Sequence, residues 1–360
     1  MSRDFSHADR LMREGVHRGI FPGAVLLVAM EGAVVFQRPY GLADLFSGRI
    51  MSLDTCFDLA SLTKPLATTL VVMYLVQQGR LELDRPACFY WPPLGSMDKD
   101  QITLRHLLSH RSGLPAWRPY YLRLRDIAPD QRISKLQHEV ISEPLCSPPG
   151  KRAEYSDIGF MILQWVAQAV TGQPLDLLFQ SLILEPLKVK DIFYSNPARK
   201  SFDRLYAATE FCPLRGRLLM GEVHDDNAHV MGGVAGHAGL FGTVGAVWEL
   251  LQGLSNADQG RSIHRLFDQR IIQQFFQPQS QSTWALGFDT PSPTNSSAGK
   301  YFRPDGVGHL GYTGTSFWMA RSRNIVIVLL TNRVHPTRYN FGIKEFRPQL
   351  HNAIMQNFAR

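Results

Sequence analysis

The stretch FDLASLTK, residues 57–64, places a hydroxyl and an amine three positions apart at the start of an apolar helical pattern. On a helix, positions i and i+3 share a face, so the Lys64 amine can reach the Ser61 hydroxyl. A serine becomes an effective nucleophile when a neighbouring base takes its proton. A lysine can be that base only if burial or nearby cations lower its pKa. A plain helix N-cap at Ser61 is the alternative interpretation.

The same serine–lysine spacing occurs a second time in SAGK, residues 297–300, within a Gly- and Ser-rich stretch. That copy is interpreted as accidental, because no helical pattern follows it. The first copy opens an apolar periodic segment that is predicted to run to about Gln78, where Gly79 ends it. The context therefore favours Ser61 as the functional serine.

A second motif, YSD at residues 155–157, follows PPG and precedes an apolar helical pattern. A tyrosine at this place could pass a proton between a nucleophile and a leaving group. The alternative is a tyrosine packed at a helix start, with Ser156 or Asp157 as the cap.

A third motif, GHLGYTGT at residues 308–315, precedes the last pair of predicted strands. Its glycines would let a substrate lie along a strand edge, whose amides can donate hydrogen bonds to it. His309 would present a polar or cationic group beside that edge. Taken alone, the segment is a glycine-rich turn with one histidine.

In this order the three motifs match the S-x-x-K, Y-x-N and K-T-G set of penicillin-binding proteins and class C-type β-lactamases. The sequence resembles the serine β-lactamase-like superfamily, in its branch of esterases, DD-peptidases and other hydrolases with H-x-G as third motif. Further matches are FPGA at 21–24, LRHLLSHRSGLP at 104–115, GGVAGHAGLF at 232–241 and LTNRVHP at 330–336.

The resemblance implies an acyl-enzyme mechanism with a role for each matched residue. Ser61 becomes the nucleophile, Lys64 its base and Tyr155 the proton relay. The backbone N–H groups of Ser61 and Tyr312 would form the oxyanion hole, which acts on charge only as it develops. The residues expected to contact the substrate are Asp157, His309 and Gly311.

Two positions depart from the common pattern of the family. Asp157 stands where class C-type enzymes usually have Asn, and a carboxylate is unable to donate the amide hydrogen bond and could instead attract Lys64. His309 replaces the motif lysine, which weakens any fixed positive charge at neutral pH. Both changes disfavour β-lactam turnover and leave acyl transfer intact.

The periodicity predicts strands near both ends of the chain and helices in the middle. The predicted helices cover residues 3–19, 61–78, 103–110, 155–171, 175–182 and 346–358, and the predicted strands 24–31, 33–38, 284–288, 308–310, 316–322 and 325–331. The predicted fold is α/β (α+β), with an antiparallel sheet flanked by terminal helices and an inserted all-α domain. Residues 1–80 and 240–360 would form the sheet domain and 81–239 the insertion, with the active site in the cleft between them.

Composition excludes several other classes of protein. The formal charge is +7, but lysines and arginines are scattered without a basic run, which argues against nucleic acid as partner. No apolar run approaches the ~18 residues of a membrane span, and residues 1–7 lack the apolar core of a secretory signal. A cytoplasmic location without membrane contact is therefore expected.

The sequence contains no recognisable metal-binding or cofactor-binding motif. The cysteines lie far apart and are expected as free thiols, namely Cys56, Cys88, Cys146 and Cys212. His106 and His110 lack the intervening Glu of H-E-x-x-H and are interpreted as helix-end histidines. The HDDN segment at 224–227 is interpreted as a loop held by Asx turns. We therefore expect neither a metal nor a cofactor.

The leading functional prediction is a hydrolase of small carboxylic esters or amides that acts through a Ser61 acyl-enzyme. One alternative within the same superfamily is a DD-peptidase or weak β-lactamase that acts on a β-lactam-like substrate. An alternative from another class is a binding or scaffold protein that kept the fold and lost turnover.

Overall fold

The computed structural model describes residues 4–195, 204–261, 266–280 and 282–358. The helices among them are α1 (Ser6–His17), α2 (Thr69–Gln77), α3 (Leu104–Leu108), α4 (Tyr121–Leu124), α5 (Pro129–Ser142), α6 (Asp157–Thr171), α7 (Leu175–Phe179), α8 (Glu185–Leu187), α9 (Asp226–Val230), α10 (Val244–Asp258), α11 (Gln269–Phe276) and α12 (Ile343–Gln356). The strands are β1 (Gly23–Met30), β2 (Ala33–Asp44), β3 (Arg49–Ile50), β4 (Phe57–Asp58), β5 (Ile192–Tyr194), β6 (Ala208–Cys212), β7 (Arg217–Met220), β8 (Leu240–Gly242), β9 (Val307–Leu310), β10 (Ser316–Ala320) and β11 (Ile325–Thr331).

Six strands form the main sheet in the order β3-β2-β1-β11-β10-β9, and all neighbours are antiparallel. Strand β1 lies between β2 and β11, with Leu26 opposite Leu329. The first and last long strands of the chain are therefore neighbours. This arrangement, together with the flanking terminal helices, confirms the predicted fold class.

Both faces of the sheet are buried, because successive side chains of a strand point to opposite sides. Leu26 and Ile327 belong to a core shared with the terminal helices α1 and α12. Leu27 and Val328 belong to the larger core on the other face, which includes α2 and the middle of the chain. Two covered faces explain why β1 and β11 are continuously apolar rather than alternating.

The middle of the chain contains more than helices. Strand β8 pairs with β4 and β5, and β6 pairs with β7 as a separate hairpin. An insertion made of helices alone was expected, so these strands are an addition to the predicted picture. They have three to five residues each, which is too short for a clear two-residue periodicity. The division into 1–80 plus 240–360 and 81–239 stays a prediction.

Some predicted elements differ from the structure. The strand expected at 284–288 is absent, because Gly287 adopts a left-handed φ of 84° and the chain turns between Trp284 and Asp289, which form an isolated bridge. Helices α5, α10 and α11 were not predicted.

None of the described helices is both long and apolar enough to cross a bilayer. The cysteines are free thiols, as expected.

Candidate active site

Ser61 lies in a 3₁₀ turn, Ala60–Leu62, directly after β4. Ala60 has a left-handed φ of 48°, which is unfavourable for a residue with a side chain. The buried Asp58 holds this turn: one carboxylate oxygen accepts from the Ala60 amide at 2.8 Å and the other from the His224 amide at 2.7 Å. A π-helical turn, Lys64–Thr68, then leads into α2. The helix predicted from Ser61 onward is thus present, with an irregular first part.

The Lys64 amine is completely buried and contacts three oxygens. It lies 3.1 Å from the Ser61 hydroxyl, 3.1 Å from the His237 carbonyl and 2.7 Å from a carboxylate oxygen of Asp157. An ammonium group has three N–H donors and no acceptor, so the amine acts only as a donor towards these oxygens. The spacing in the sequence therefore brings Ser61 and Lys64 together, and Asp157 joins them.

The charge state of Lys64 follows from these neighbours. Burial favours the neutral amine, but the combined attraction of Asp157 and Tyr155 outweighs it and raises the pKa of Lys64. The sequence argument required a lowered pKa for a lysine base, and the structure gives the opposite direction. Lys64 is accordingly an ammonium in the resting protein, paired with Asp157.

Tyr155 and Asp157 are held in place by the segment around His110. The Ser156 amide donates to His110 Nδ1 at 3.0 Å, and the Ser156 hydroxyl donates to the Pro115 carbonyl at 2.7 Å and caps α6. The Tyr155 ring centroid lies 4.6 Å from that of His110, and 4.9 Å from the Lys64 nitrogen. Burial raises the pKa of Tyr155, with the Lys64 charge acting against it. His110 is thus a buried, hydrogen-bonded helix-end histidine that also positions the second motif.

His309 lies in β9 opposite Phe317 and is 2% exposed. Its Nδ1 lies 2.9 Å from the Leu310 carbonyl oxygen, which only accepts, so Nδ1 carries the proton. Its Nε2 is buried without a partner in the described part of the chain. Burial, together with the charge of Lys64, lowers the pKa of His309 to about 3. His309 is therefore a neutral hydrogen-bond acceptor, consistent with the expected weak positive charge at this position.

The turn between β9 and β10 is fastened to the segment before Ser61. The Thr313 and Thr315 hydroxyls donate to the carbonyls of Asp58 and Leu59, at 2.7 and 3.0 Å. A Cβ on Gly311 would lie 2.0 Å from the Thr315 hydroxyl oxygen and 2.7 Å from the Leu59 carbonyl oxygen. Only glycine fits at this contact, which brings the turn against the Ser61 segment.

Two cavities meet at Ser61, Tyr155 and Tyr312, which line both. The first has a volume of about 410 Å³ and is also lined by Trp117, Tyr121, Asp157, Asp225, His237 and Arg338. The second has a volume of about 430 Å³ and is also lined by Trp284, Asp289, His309, Gly311, Arg333 and Arg347. The structure thus gathers the predicted site residues in one cleft, with Lys64 buried beneath Ser61.

Comparison with known families agrees with this geometry. The family model described as Beta-lactamase matches residues 8–349. The chain belongs to the beta-lactamase family. The match covers nearly the whole sequence and includes all three motifs.

Two curated relatives of this beta-lactamase-family protein are similar over most of their length. An "N-acetylmuramyl-L-alanine amidase" of Bacillus subtilis (strain 168) is 33% identical, with 91% of this chain and 80% of the relative covered. A "Putative D-alanyl-D-alanine carboxypeptidase" of Escherichia coli (strain K12) is 31% identical, with 91% and 82% covered. Among solved structures, "EstCE1, a hydrolase with promiscuous acyltransferase activity" has a TM-score of 0.77 at 20% identity, with 97% of each chain covered, and it supports the fold. The family and these relatives identify the protein as a hydrolase of the beta-lactamase fold.

His237 and Asp225, which were not predicted as site residues, both line the first cavity of this beta-lactamase-family site. His237 Nε2 lies 3.1 Å from an Asp225 carboxylate oxygen, while the His237 carbonyl accepts from Lys64. His237 holds the pKa of Asp225 well below its usual range although burial acts to raise it. Asp225 also caps α9 through the Ala228 amide at 2.7 Å, which agrees with the expected local turn. Within the described ranges, no group of three or more His, Cys, Asp or Glu side chains is placed to hold a metal ion.

Proposed function

We propose that this beta-lactamase-family protein is a serine hydrolase that cleaves small amides and esters through an acyl-enzyme on Ser61. The observation that carries the proposal is the 3.1 Å separation of the Ser61 hydroxyl and the Lys64 amine at the junction of two cavities. A nucleophile within hydrogen-bond reach of an amine is the arrangement that covalent acyl transfer needs.

Acylation requires that the Lys64 ammonium first lose its proton to solvent. The Ser61 oxygen then forms a bond to the substrate carbonyl carbon while its own proton passes to neutral Lys64. The backbone N–H groups of Ser61 and Tyr312 stabilise the oxyanion. Tyr155 then donates a proton to the leaving nitrogen or oxygen, recovers one from Lys64, and the C–N or C–O bond breaks. In deacylation, water attacks the ester carbon and its proton returns to Ser61 by the same route, which releases the carboxylic acid.

Amides are the favoured natural substrates, because both curated relatives carry names of amide-hydrolysing enzymes. The alternative of a weak β-lactamase is disfavoured by the Asp157 carboxylate and the neutral His309, which replace an amide donor and a cation. The alternative of a scaffold without turnover is disfavoured by the contact between Ser61 and Lys64. The proposed partner is a small molecule, because the two cavities at Ser61 have volumes of about 410 and 430 Å³.

Intact-mass spectrometry after exposure to a fluorophosphonate, p-nitrophenyl acetate and a penicillin tests the proposed nucleophile. Wild type should gain one fluorophosphonate adduct that maps to Ser61 and is absent in Ser61→Ala. Ser297→Ala is the matched control, since it removes the serine of the other S-x-x-K sequence. Ser297 lies in a loop, where its backbone carbonyl accepts a hydrogen bond from His351 Nδ1 at 2.8 Å. Loss of the Ser297 hydroxyl should leave labelling unchanged. Adduct that persists in Ser61→Ala would contradict the assignment.

The substrate class is tested with the same variants on three compounds. N-acetylmuramyl-L-alanine, a peptide ending in D-alanyl-D-alanine and a penicillin separate the amidase, carboxypeptidase and β-lactamase activities. We expect Ser61-dependent cleavage of an amide and little turnover of penicillin. Rapid penicillin hydrolysis without amide cleavage would favour the β-lactamase alternative, and no Ser61 adduct with any reagent would favour the scaffold.

A further inference from the structure

Arg347 in α12 is a buried cation without a carboxylate partner. Its side chain is 5% exposed, its Nε has no hydrogen-bond partner, and none of the ion pairs among the described residues includes it. Burial, with the charge of Arg333 adding to it, lowers the pKa of Arg347 to about 9. Buried charges in proteins are usually paired, because desolvation is unfavourable. An unpaired guanidinium beside the active site therefore points to a functional role.

The guanidinium binds the turn between β9 and β10 through carbonyl oxygens. One terminal nitrogen, Nη2, donates to the Gly311 carbonyl at 3.0 Å and to the Thr315 carbonyl at 2.7 Å. The Gly311 carbonyl and the Tyr312 N–H belong to the same peptide group, whose electrons are delocalised over O, C and N. A charge-assisted hydrogen bond to the oxygen draws electron density towards it and makes the N–H a stronger donor.

We propose that Arg347 is a positioning residue that orients and polarises the Gly311–Tyr312 peptide, so that the Tyr312 N–H stabilises the oxyanion more strongly. The inference rests on the proposed function, in which this N–H is one of the two oxyanion donors. Charge on the substrate oxygen grows on the way to the tetrahedral intermediate, so Arg347 acts mainly on kcat.

Arg333 shows that holding the turn and polarising the donor are separable. Its guanidinium donates to the Tyr312 carbonyl at 2.8 Å and to the carbonyls of Arg338 and Asn340. The Tyr312 carbonyl belongs to the next peptide group, whose N–H is that of Thr313. Both arginines therefore hold the turn, and only Arg347 acts on the peptide that carries the Tyr312 N–H.

The test is steady-state hydrolysis of p-nitrophenyl acetate by wild type, Arg347→Met and Arg321→Met, with the melting temperature of each. This ester has no negative charge, so any role of Arg347 in binding a substrate anion does not affect the measured rates. Arg321 is the control: it lies beyond the far end of β10 and pairs with Asp258 at 2.6 and 2.8 Å. We expect Arg347→Met to lower kcat about tenfold with KM within about threefold, and Arg321→Met to leave both unchanged.

A rescue experiment separates polarisation from a purely structural role. In Arg347→Ala, millimolar guanidinium chloride should restore part of kcat without changing the melting temperature. Arg347→Lys should retain more activity than Arg347→Met, because it keeps a cation near the Gly311 carbonyl. Arg347→Ala replaces Arg347→Met if the latter does not fold.

The outcomes distinguish this inference from the proposed function. If the wild-type protein reacts neither with the ester nor with a fluorophosphonate, both the proposed function and this inference are wrong. Wild type that reacts, with unchanged kcat in a folded Arg347→Met or Arg347→Ala, would overturn the role of Arg347 alone. A rise in KM with unchanged kcat, or an equal loss in Arg321→Met, would also overturn it.

Discussion

The Lys64 ammonium and the Asp157 carboxylate form an ion pair at 2.7 Å across the base of the cleft. Lys64 is the first residue of the π-helical turn that follows the Ser61 turn, and Asp157 is the first residue of α6. The pair thus joins the start of the helical segment that leads into α2 to the start of α6. It also keeps a proton on the amine that must be lost before Ser61 can be activated.

Replacing Asp157 by Asn should therefore make Lys64 a better base. The carboxylate raises the pKa of Lys64, so its removal lowers that pKa and increases the neutral fraction at a given pH. We expect the rising limb of kcat/KM against pH for p-nitrophenyl acetate to move down by about one pH unit or more. The rate near neutral pH should rise severalfold.

Asp84→Asn is the matched control for this change. Asp84 pairs with Arg105 at 2.6 Å and does not line either cavity at Ser61, so its loss should leave the pH profile in place. A profile that does not move in Asp157→Asn would count against Lys64 as the base. Complete loss of activity at every pH would instead give Asp157 a required role of its own.

His309 should stay neutral over the physiological range. Because burial lowers its pKa to about 3, its Nδ1–H form persists from pH 8 down to pH 5 or below. Nitrogen-15 NMR of histidine-labelled protein reports the tautomer and the charge of each ring, and His309→Gln assigns the signal. An imidazole that titrates near pH 6.5 would contradict the hydrogen-bonding pattern described above.

Gly311→Ala should disrupt the turn that carries Tyr312. The new methyl group would lie 2.0 Å from the Thr315 hydroxyl oxygen, so the turn must move away from the Ser61 segment. We expect a loss of stability of about 1–3 kcal/mol in urea unfolding, and a large loss of esterase activity. In Gly245→Ala on α10, the nearest contact would be 4.0 Å away, so this control should be neutral or slightly stabilising. Equal behaviour of the two variants would refute the packing argument.

Glu210 should make stability depend on pH in the acidic range. Although burial acts to raise it, hydrogen bonds from His224 and Arg338 lower the pKa of Glu210 from 4.5 to about 2. The Glu210 carboxyl group therefore binds a proton less tightly in the folded protein than in the unfolded chain. The stabilisation is complete above about pH 4.5 and disappears as the pH falls towards 2.

Glu210→Gln should therefore lower the free energy of unfolding by about 2 kcal/mol at pH 7, allowing for screening by solvent. The difference from wild type should shrink as the pH falls through 4 to 3, as measured by urea denaturation at each pH. Glu82→Gln removes an exposed pair with Arg85 and should change stability little. A pH-independent difference for Glu210→Gln would show that packing rather than charge is lost.

Local spacing was enough to predict the contact between Ser61 and Lys64, because both residues lie within one helical turn. Tyr155, His309 and Tyr312 were predicted as site residues because their motifs occur in the same order as in a known family. The resemblance to that family then implied the fold that brings them together. The apolar runs at residues 24–31 and 325–331 likewise predicted strands at both ends of the chain, which pair as β1 and β11. These features depend on short stretches of chain or on motifs with a known arrangement.

Other features depend on packing between distant segments and have no local signature. Arg347 lies on a helix whose sequence pattern indicates only its apolar face, so neither its burial nor its carbonyl contacts were predictable. The direction of the Lys64 pKa shift depends on a distance to Asp157 that sequence does not contain. Strands β5 to β7 form because partners are available in the folded molecule.

The pairing of β1 with β11 has a consequence for how the protein is made. The Gly23 amide binds the Asn332 side chain, 309 positions away along the chain. During synthesis, one edge of β1 remains unpaired until β11 emerges. An unpaired apolar strand favours pairing with other unfinished chains. The turn bearing Tyr312 is synthesised shortly before β11, so the proposed Tyr312 donor also joins the Ser61 segment late in translation. We therefore expect that completion of the sheet and completion of the proposed oxyanion hole coincide, and that unfinished chains are prone to aggregation.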